Sequence, residues 1–272
     1  MPLGYERAAS LGDAISALAA DPGARFLGGG TILMRIVNQD DGRITRLVAG
    51  DRLGLAGIEV GNGKAVLGAA VTMAAIAAHK DLTFLAPVAL SIGGPAVRNM
   101  ATVGGNLFAR APYGDMAVAL LALGAAVTVE GPGGSETIDL ETFLSGRGRK
   151  APRIVQNVTF NLPGRGAFRF AKAIRKKPHG AAVVAIAALL PVTGGKVDGA
   201  RVAYGAMAEM PIRARAVERA LEGKALDAAG IDAATKVAGE GTSPPTDPQA
   251  SAWYRAAVLP VHLKRLLLGE TH

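Results

Sequence analysis

The chain contains no cysteine. That absence excludes disulfides, thiolate zinc sites, a catalytic thiol and any iron–sulfur cluster carried on the chain itself. Aromatic residues are also scarce, at 4% of 272, which leaves few platforms for stacking bases. No helix-turn-helix, zinc-finger or ribonucleoprotein signature is present. The net charge of +8, with basic clusters at Arg147 to Lys150 and Arg175 to Lys177, therefore points to an anionic cofactor, a partner surface or solubility, and not to nucleic acid.

Long hydrophobic runs are missing as well. The longest, Met116 to Val129 and Ala181 to Val192, fall short of the roughly 20 residues a membrane span needs. The start, Met-Pro-Leu-Gly-Tyr-Glu, lacks the charged head and apolar stretch of a secretory signal, so a cytoplasmic location is expected. His79, His179, His262 and His272 are scattered and offer no metal-ligand spacing. Of these, His179 draws attention because it sits in Lys176-Lys177-Pro178-His179-Gly180, just before an apolar run. Neither the Gly-x-Gly-x-x-Gly of a dinucleotide-binding Rossmann unit nor a Walker loop occurs anywhere. No catalytic residue and no metal site are nominated on this chain.

With half its residues hydrophobic, the chain can bury a core large enough for about two domains. Ser10 opens a helical pattern that Asp21-Pro22-Gly23 ends, and Arg25 to Leu27 reads as a strand entering a glycine loop. Thr31 is placed to cap a helical turn over Ile32 to Ile36. Asn62-Gly63 predicts a tight hairpin between Ile58 to Val60 and Ala65 to Leu67. Helices are expected at Met73 to His79, Leu82 to Ile92 and Asp115 to Leu123, with a second hairpin over Ala125 to Glu130 and Glu136 to Leu140. Pro163-Gly164-Arg165-Gly166 punctuates two strand-like runs, Ile154 to Phe160 and Ala167 to Ala173, and marks the expected domain junction. Beyond it lie the apolar run Ala181 to Leu190, a Gly194-Gly195 hairpin, a strand through Val202 to Ala206, and helices at Arg213 to Leu221, Ile231 to Ala238 and Ala250 to Leu268. This half reads as a small α+β domain.

Two glycine-rich stretches carry the chemistry. They are Gly28-Gly29-Gly30-Thr31 and Thr102-Val103-Gly104-Gly105-Asn106, with Arg98-Asn99 leading into the second and Asp115 behind it. Glycines without a Cβ let backbone N–H groups turn toward a phosphate and let a bulky pyrophosphate touch the main chain. A carboxylate nearby can accept ribose hydroxyls. The pair of loops reads as two walls of one dinucleotide cradle.

These residues resemble a known family, the FAD-binding medium subunit of molybdenum hydroxylases of the carbon monoxide dehydrogenase and xanthine dehydrogenase type. The resemblance rests on Phe26-Leu-Gly-Gly-Gly-Thr-Ile-Leu33, on Val97-Arg-Asn-Met-Ala-Thr-Val-Gly-Gly-Asn106 through Ala111-Pro112 to Asp115, and on Leu120-Leu-Ala-Leu123. Weaker likenesses run through Phe170-Ala-Lys172, Arg175 and Ala250-Ser-Ala-Trp-Tyr-Arg255. It implies an α+β fold: a vanillyl-alcohol-oxidase or PCMH-type FAD-binding domain over residues 1–163, in two subdomains of about 1–50 and 51–163, followed by a C-terminal α+β domain of the CO-dehydrogenase flavoprotein type over 167–272.

The cofactor implied is FAD. Leu27, Gly28, Gly29, Gly30, Thr31, Ile32 and Leu33 of the first loop, and Ala101, Thr102, Gly104, Gly105 and Asn106 of the second, are the expected contacts to its diphosphate and neighbouring groups. Asp115 matches a cofactor contact and Lys172 a lysine near the flavin ring. By the same resemblance the chain relays electrons from a small iron–sulfur subunit, which serves a large molybdopterin-binding subunit, to NAD, a quinone or another acceptor. A dimer of heterotrimers is implied. Gly28 stands where many relatives have alanine, Ile32 where many have a polar residue, and Lys177 to Ala181 where relatives often carry an acidic or aromatic residue, which leaves the acceptor open. Two other readings keep the fold: a flavin-free scaffold subunit of the same complex, and a self-contained flavin oxidoreductase.

Overall fold

The computed structural model describes residues 3–39, 42–146 and 151–270; the basic cluster Arg147 to Lys150 lies outside them. The chain opens with β1 (Gly4–Arg7), α1 (Leu11–Ala20), β2 (Ala24–Leu27), α2 (Leu33–Val37) and β3 (Arg46–Ala49). The strands form a parallel sheet in the order β1-β3-β2, which requires a crossover, and α1 provides it. Ser10 caps that helix by accepting from the Asp13 amide at 3.1 Å. Thr31 makes no such cap: α2 begins one residue later than expected, behind Ile32, and has no side-chain cap bond.

A second sheet follows: β4 (Ile58–Gly61), β5 (Lys64–Gly68), α3 (Met73–Ala78), a 3-10 turn at Lys80–Leu85, α4 (Ala86–Leu90), α5 (Pro95–Met100), α6 (Val103–Leu107), α7 (Asp115–Ala122), β6 (Ala126–Gly131), β7 (Gly134–Asp139), α8 (Leu140–Ser145) and β8 (Ile154–Asn161). Its five strands are antiparallel in the order β4-β5-β8-β6-β7. The Asn62-Gly63 hairpin has both turn residues at positive φ, 51° and 72°, as that dipeptide favours. The single helix expected over Leu82 to Ile92 is broken. Leu82 sits at φ −116°, ψ 25°, and Pro87, near the start of α4, has no amide to continue the preceding turn.

The remainder comprises β9 (Phe168–Ile174), β10 (Ala182–Leu189), β11 (Val192–Thr193), β12 (Lys196–Val197), β13 (Arg201–Gly205), β14 (Ile212–Arg213), α9 (Arg215–Leu221), α10 (Asp232–Lys236) and α11 (Ala252–Leu268). The apolar run after Gly180 is thus a central strand, in a sheet ordered β14-β13-β10-β9. Arg213, expected to open a helix, instead pairs with Ala203 as part of β14, and α9 starts two residues later. Along β10 the faces alternate, as strand geometry demands. Ala185 and Ala187 belong to the core that includes α7, whereas Val184, Ile186 and Ala188 face the core under α9, α10 and α11.

Helix α7 explains how the parts are joined. All eight of its residues are buried, and the seven after Asp115 are apolar, so it must be surrounded. It packs on β10 and β13 as well as on α4 and α6. The approach to β13 is close enough that a Cβ on Gly205 would come within 2.6 Å of a Val118 methyl carbon. The first residue of this buried helix is Asp115.

Candidate cofactor site

The parallel sheet delivers the first glycine stretch at the end of β2. Beyond Leu27, the amides of Gly28, Gly29, Gly30, Thr31, Ile32 and Leu33 donate no hydrogen bond among the described residues, and the first inward bond is Met34 N to Gly30 O at 2.8 Å. Gly30 turns the chain at φ +70°, a left-handed conformation that glycine adopts without penalty. Apart from exposed Gly28 these residues are half-buried. Six consecutive donors without an acceptor are costly unless something anionic or aqueous meets them.

The second stretch lies against the first. A Cβ on Gly29 would fall inside the Met100 carbonyl, and one on Gly28 would come within 3.3 Å of Thr102 Oγ1. The two walls, separated by some seventy residues of chain, are therefore in van der Waals contact, and Gly29 is glycine because the other wall occupies its side-chain space.

The amides of the second wall are differently committed. Val103 N donates to Val71 O at 2.9 Å, Gly104 N to Ala69 O at 2.8 Å and Asn106 N to Thr102 O at 3.0 Å. Gly105 N donates to Thr102 Oγ1 at 3.2 Å, so Thr102 caps α6. The Asn106 side chain accepts from Ala117 N at 3.0 Å and locks α6 to α7. The first loop thus holds the free donors, and the second supplies a tight backing. Gly104 packs on Ala69, 3.0 Å from a notional Cβ, whereas Gly105 is exposed and meets only Thr102 Oγ1. Ala101 is buried, and its carbonyl accepts from Met73 N at 2.9 Å.

Asp115 and Lys172 touch each other. Lys172 Nζ donates to Asp115 Oδ2 at 2.7 Å and to the Ser91 carbonyl at 2.9 Å. Burial pushes the Asp115 carboxyl above the usual carboxylate range, and the Lys172 charge pulls it back. One Asp115 oxygen is thus taken by the lysine, which narrows the ribose-accepting role read from sequence.

Ser91, Arg35 and Tyr113 carry no signal in the sequence, unlike Arg98 and His179. Ser91 receives Lys172. Arg35 donates to Tyr113 Oη at 3.4 Å, with its guanidinium 5.9 Å from the ring centroid. Arg98 spends its donors on the Leu90 and Gly93 carbonyls. His179 approaches Gly94, its Cδ2 4.0 Å from where a Cβ would stand. A charge signal was available: no Asp or Glu occurs from Leu82 to Gly114 or from Thr142 to Val197. Arg98, inside the first of these stretches, donates to backbone carbonyls, and its positive charge suits a ligand with negative charge. Among the described residues no cluster of His, Asp and Glu could hold a metal ion.

A glycine loop with free amides after a parallel strand, a capped helix backing it and nearby cationic side chains make an α+β protein whose site suits a phosphate-bearing ligand. Residues 1–162 match the family described as FAD binding domain in molybdopterin dehydrogenase, and residues 168–269 match CO dehydrogenase flavoprotein C-terminal domain. The chain belongs to that FAD-binding family. It is 29% identical to the carbon monoxide dehydrogenase medium chain of Afipia carboxidovorans over 276 residues, covering 96% of this chain and 94% of the other. It is 27% identical to the xanthine dehydrogenase FAD-binding subunit of Escherichia coli O157:H7 over 275 residues, covering 97% and 94%. A solved structure of reconstituted CO dehydrogenase from Oligotropha carboxidovorans matches with a TM-score of 0.91 at 28% identity, covering 98% of this chain and 96% of that one.

FAD is the cofactor of this family, and the residues present fit it. The six unpartnered amides of Gly28 to Leu33 supply donors for a diphosphate, and the open face of Gly105 leaves the main chain reachable. Among the described residues no helix is long and apolar enough to cross a membrane.

Proposed function

We propose that this chain is the electron-relaying medium subunit of a molybdenum hydroxylase complex. The reading is carried by the free amides of Gly28 to Leu33, backed directly by the Met100 to Gly105 wall. FAD, when bound, supplies reversible uptake and release of electrons. The chain's own part is to hold and surround that group. The amides of Gly28, Gly29, Gly30, Thr31, Ile32 and Leu33 would donate to the diphosphate, and Leu27, paired with Ala49 in the sheet, would border it. Ala101, Thr102, Gly104, Gly105 and Asn106 shape the opposing wall. Lys172, held by Asp115 and Ser91, places one fixed positive charge at the edge of the site while shielding the carboxylate from water.

Electrons arrive from iron–sulfur clusters on a small partner subunit, and substrate is oxidised on a large molybdopterin-binding partner. The terminal acceptor is NAD, a quinone or a similar molecule. Zero cysteines on this chain fit that division of labour. The assembly is a dimer of such heterotrimers. The test is reconstitution with excess FAD followed by gel filtration. The wild type and Gly63→Val, whose change lies in a remote turn, should retain a flavin spectrum. Gly105→Val, which places a branched side chain on the open face, should elute without it. Loss of flavin from neither variant, or from both, would count against the placement.

A further inference from the structure

Helix α11 carries one charged side chain inward. Arg255 is fully buried, at 0% exposure, and its guanidinium is divided between two segments. Nη1 donates to the carbonyls of Ala182 at 2.9 Å and Val183 at 2.5 Å, where β10 begins, and Nη2 donates to Asp247 Oδ2 at 2.7 Å. Its Nε has no partner. A fully buried arginine with an unsatisfied donor is a poor stability device, because an apolar side chain of similar volume is often as good or better. Its geometry, by contrast, is specific.

Each segment it grips leads to the cofactor site. Ala182 N donates to the Pro112 carbonyl at 3.2 Å, three residues before Asp115 in the turn that starts α7. Asp247 also accepts from the amides of Gln249 and Ala250 at 2.8 and 3.2 Å, which folds its loop so that the neighbouring Pro248 carbonyl receives Arg175 Nη1 at 3.1 Å. Arg175 follows β9, the strand that carries Lys172, and opens the loop holding His179. One guanidinium thus braces both the turn before Asp115 and the loop after Lys172.

We infer that Arg255 is a positioning residue for the cofactor site: from the C-terminal domain it holds the Pro112 turn and the Arg175 to His179 loop in register, and through them the Asp115–Lys172 pair. The inference rests on the cofactor site proposed above.

Its test compares Arg255→Lys, which keeps charge but not the fork, and Asp247→Asn with Glu218→Gln. Glu218 belongs to another buried ion pair in the same domain, bonded to Arg213 Nε at 2.6 Å and to Val202 N at 2.8 Å, so it controls for lost stability alone. Amide hydrogen exchange over residues 111–115 and 175–182 is read without cofactor, and FAD affinity by fluorescence titration. Arg255→Lys and Asp247→Asn should accelerate exchange in both segments and weaken FAD about three- to tenfold. Glu218→Gln should lower the melting temperature while leaving both readouts unchanged. Equal exchange in all three variants at matched stability would overturn the positioning role. Absence of FAD binding by the wild type would instead overturn the cofactor reading, leaving the exchange comparison to decide the role of Arg255.

Discussion

Lys172 Nζ lies 2.7 Å from Asp115 Oδ2, with each side chain only 7% exposed, so one buried ion pair joins strand β9 to the first residue of α7. The pair links the two family-matched halves at the edge of the glycine walls. Removing one partner of such a pair leaves an uncompensated buried charge, which costs about 3–5 kcal/mol. Lys172→Met should therefore destabilise the chain by that order in denaturant unfolding at neutral pH.

The same variant should acquire a pH dependence. Burial raises the folded-state pKa of Asp115 above its unfolded value, and losing Lys172 removes the opposing pull. A raised carboxyl contributes stability that is full below the ordinary carboxylate range and is lost as pH rises through the raised value. The Lys172→Met deficit should therefore be largest at neutral and alkaline pH and shrink on acidification. Adding Asp115→Asn should abolish that dependence. A deficit unchanged across the range would show that losing Lys172 does not shift the titration of Asp115.

The glycines should separate by duty. Gly29→Ala forces a methyl into the Met100 carbonyl, and overpacking of this kind costs about 1–3 kcal/mol or more. Gly105→Ala meets only Thr102 Oγ1, so it should change stability by less than about 1 kcal/mol yet weaken FAD. Denaturant midpoints and flavin titration on the two variants measure this directly.

Thr102→Ala removes the cap of α6 and should cost about 1 kcal/mol, whereas Thr102→Ser should keep most of it. Urea unfolding distinguishes them. Equal stability of the two variants would mean that the Gly105 amide bond contributes nothing.

Tyr204 is buried with its hydroxyl unpartnered, and burial drives its phenol well above the ordinary range. Deleting the hydroxyl removes an unpaid desolvation cost, so Tyr204→Phe should be neutral or stabilising by about 1 kcal/mol. A drop in melting temperature would reveal a bond to that hydroxyl.

Much of the architecture is legible from local chemistry. Ser10, Asn62-Gly63 and the Pro-Gly punctuation act over a few residues, and the structure places a cap and a hairpin at the first two. The meeting of the two glycine stretches was legible as a pattern. Which glycine serves the fold and which serves the ligand was not, because that depends on Met100 and Ala69 arriving from elsewhere. The Asp115–Lys172 contact spans 57 positions and has no local trace. Nothing local marks Arg255 as buried, and only the packing of α11 on β10 turns it inward. Arg213 was misread because pairing with Ala203 overrides helical periodicity.

The central claim is that the amides of Gly28 to Leu33 hold a diphosphate. It is tested most directly by titrating the purified chain with FAD and with riboflavin, which has the same ring system but no phosphate. FAD should bind one per chain and riboflavin about a hundredfold more weakly, the loss expected from one or two charge-assisted hydrogen bonds. Equal affinity for both, or no binding of FAD, would contradict the account.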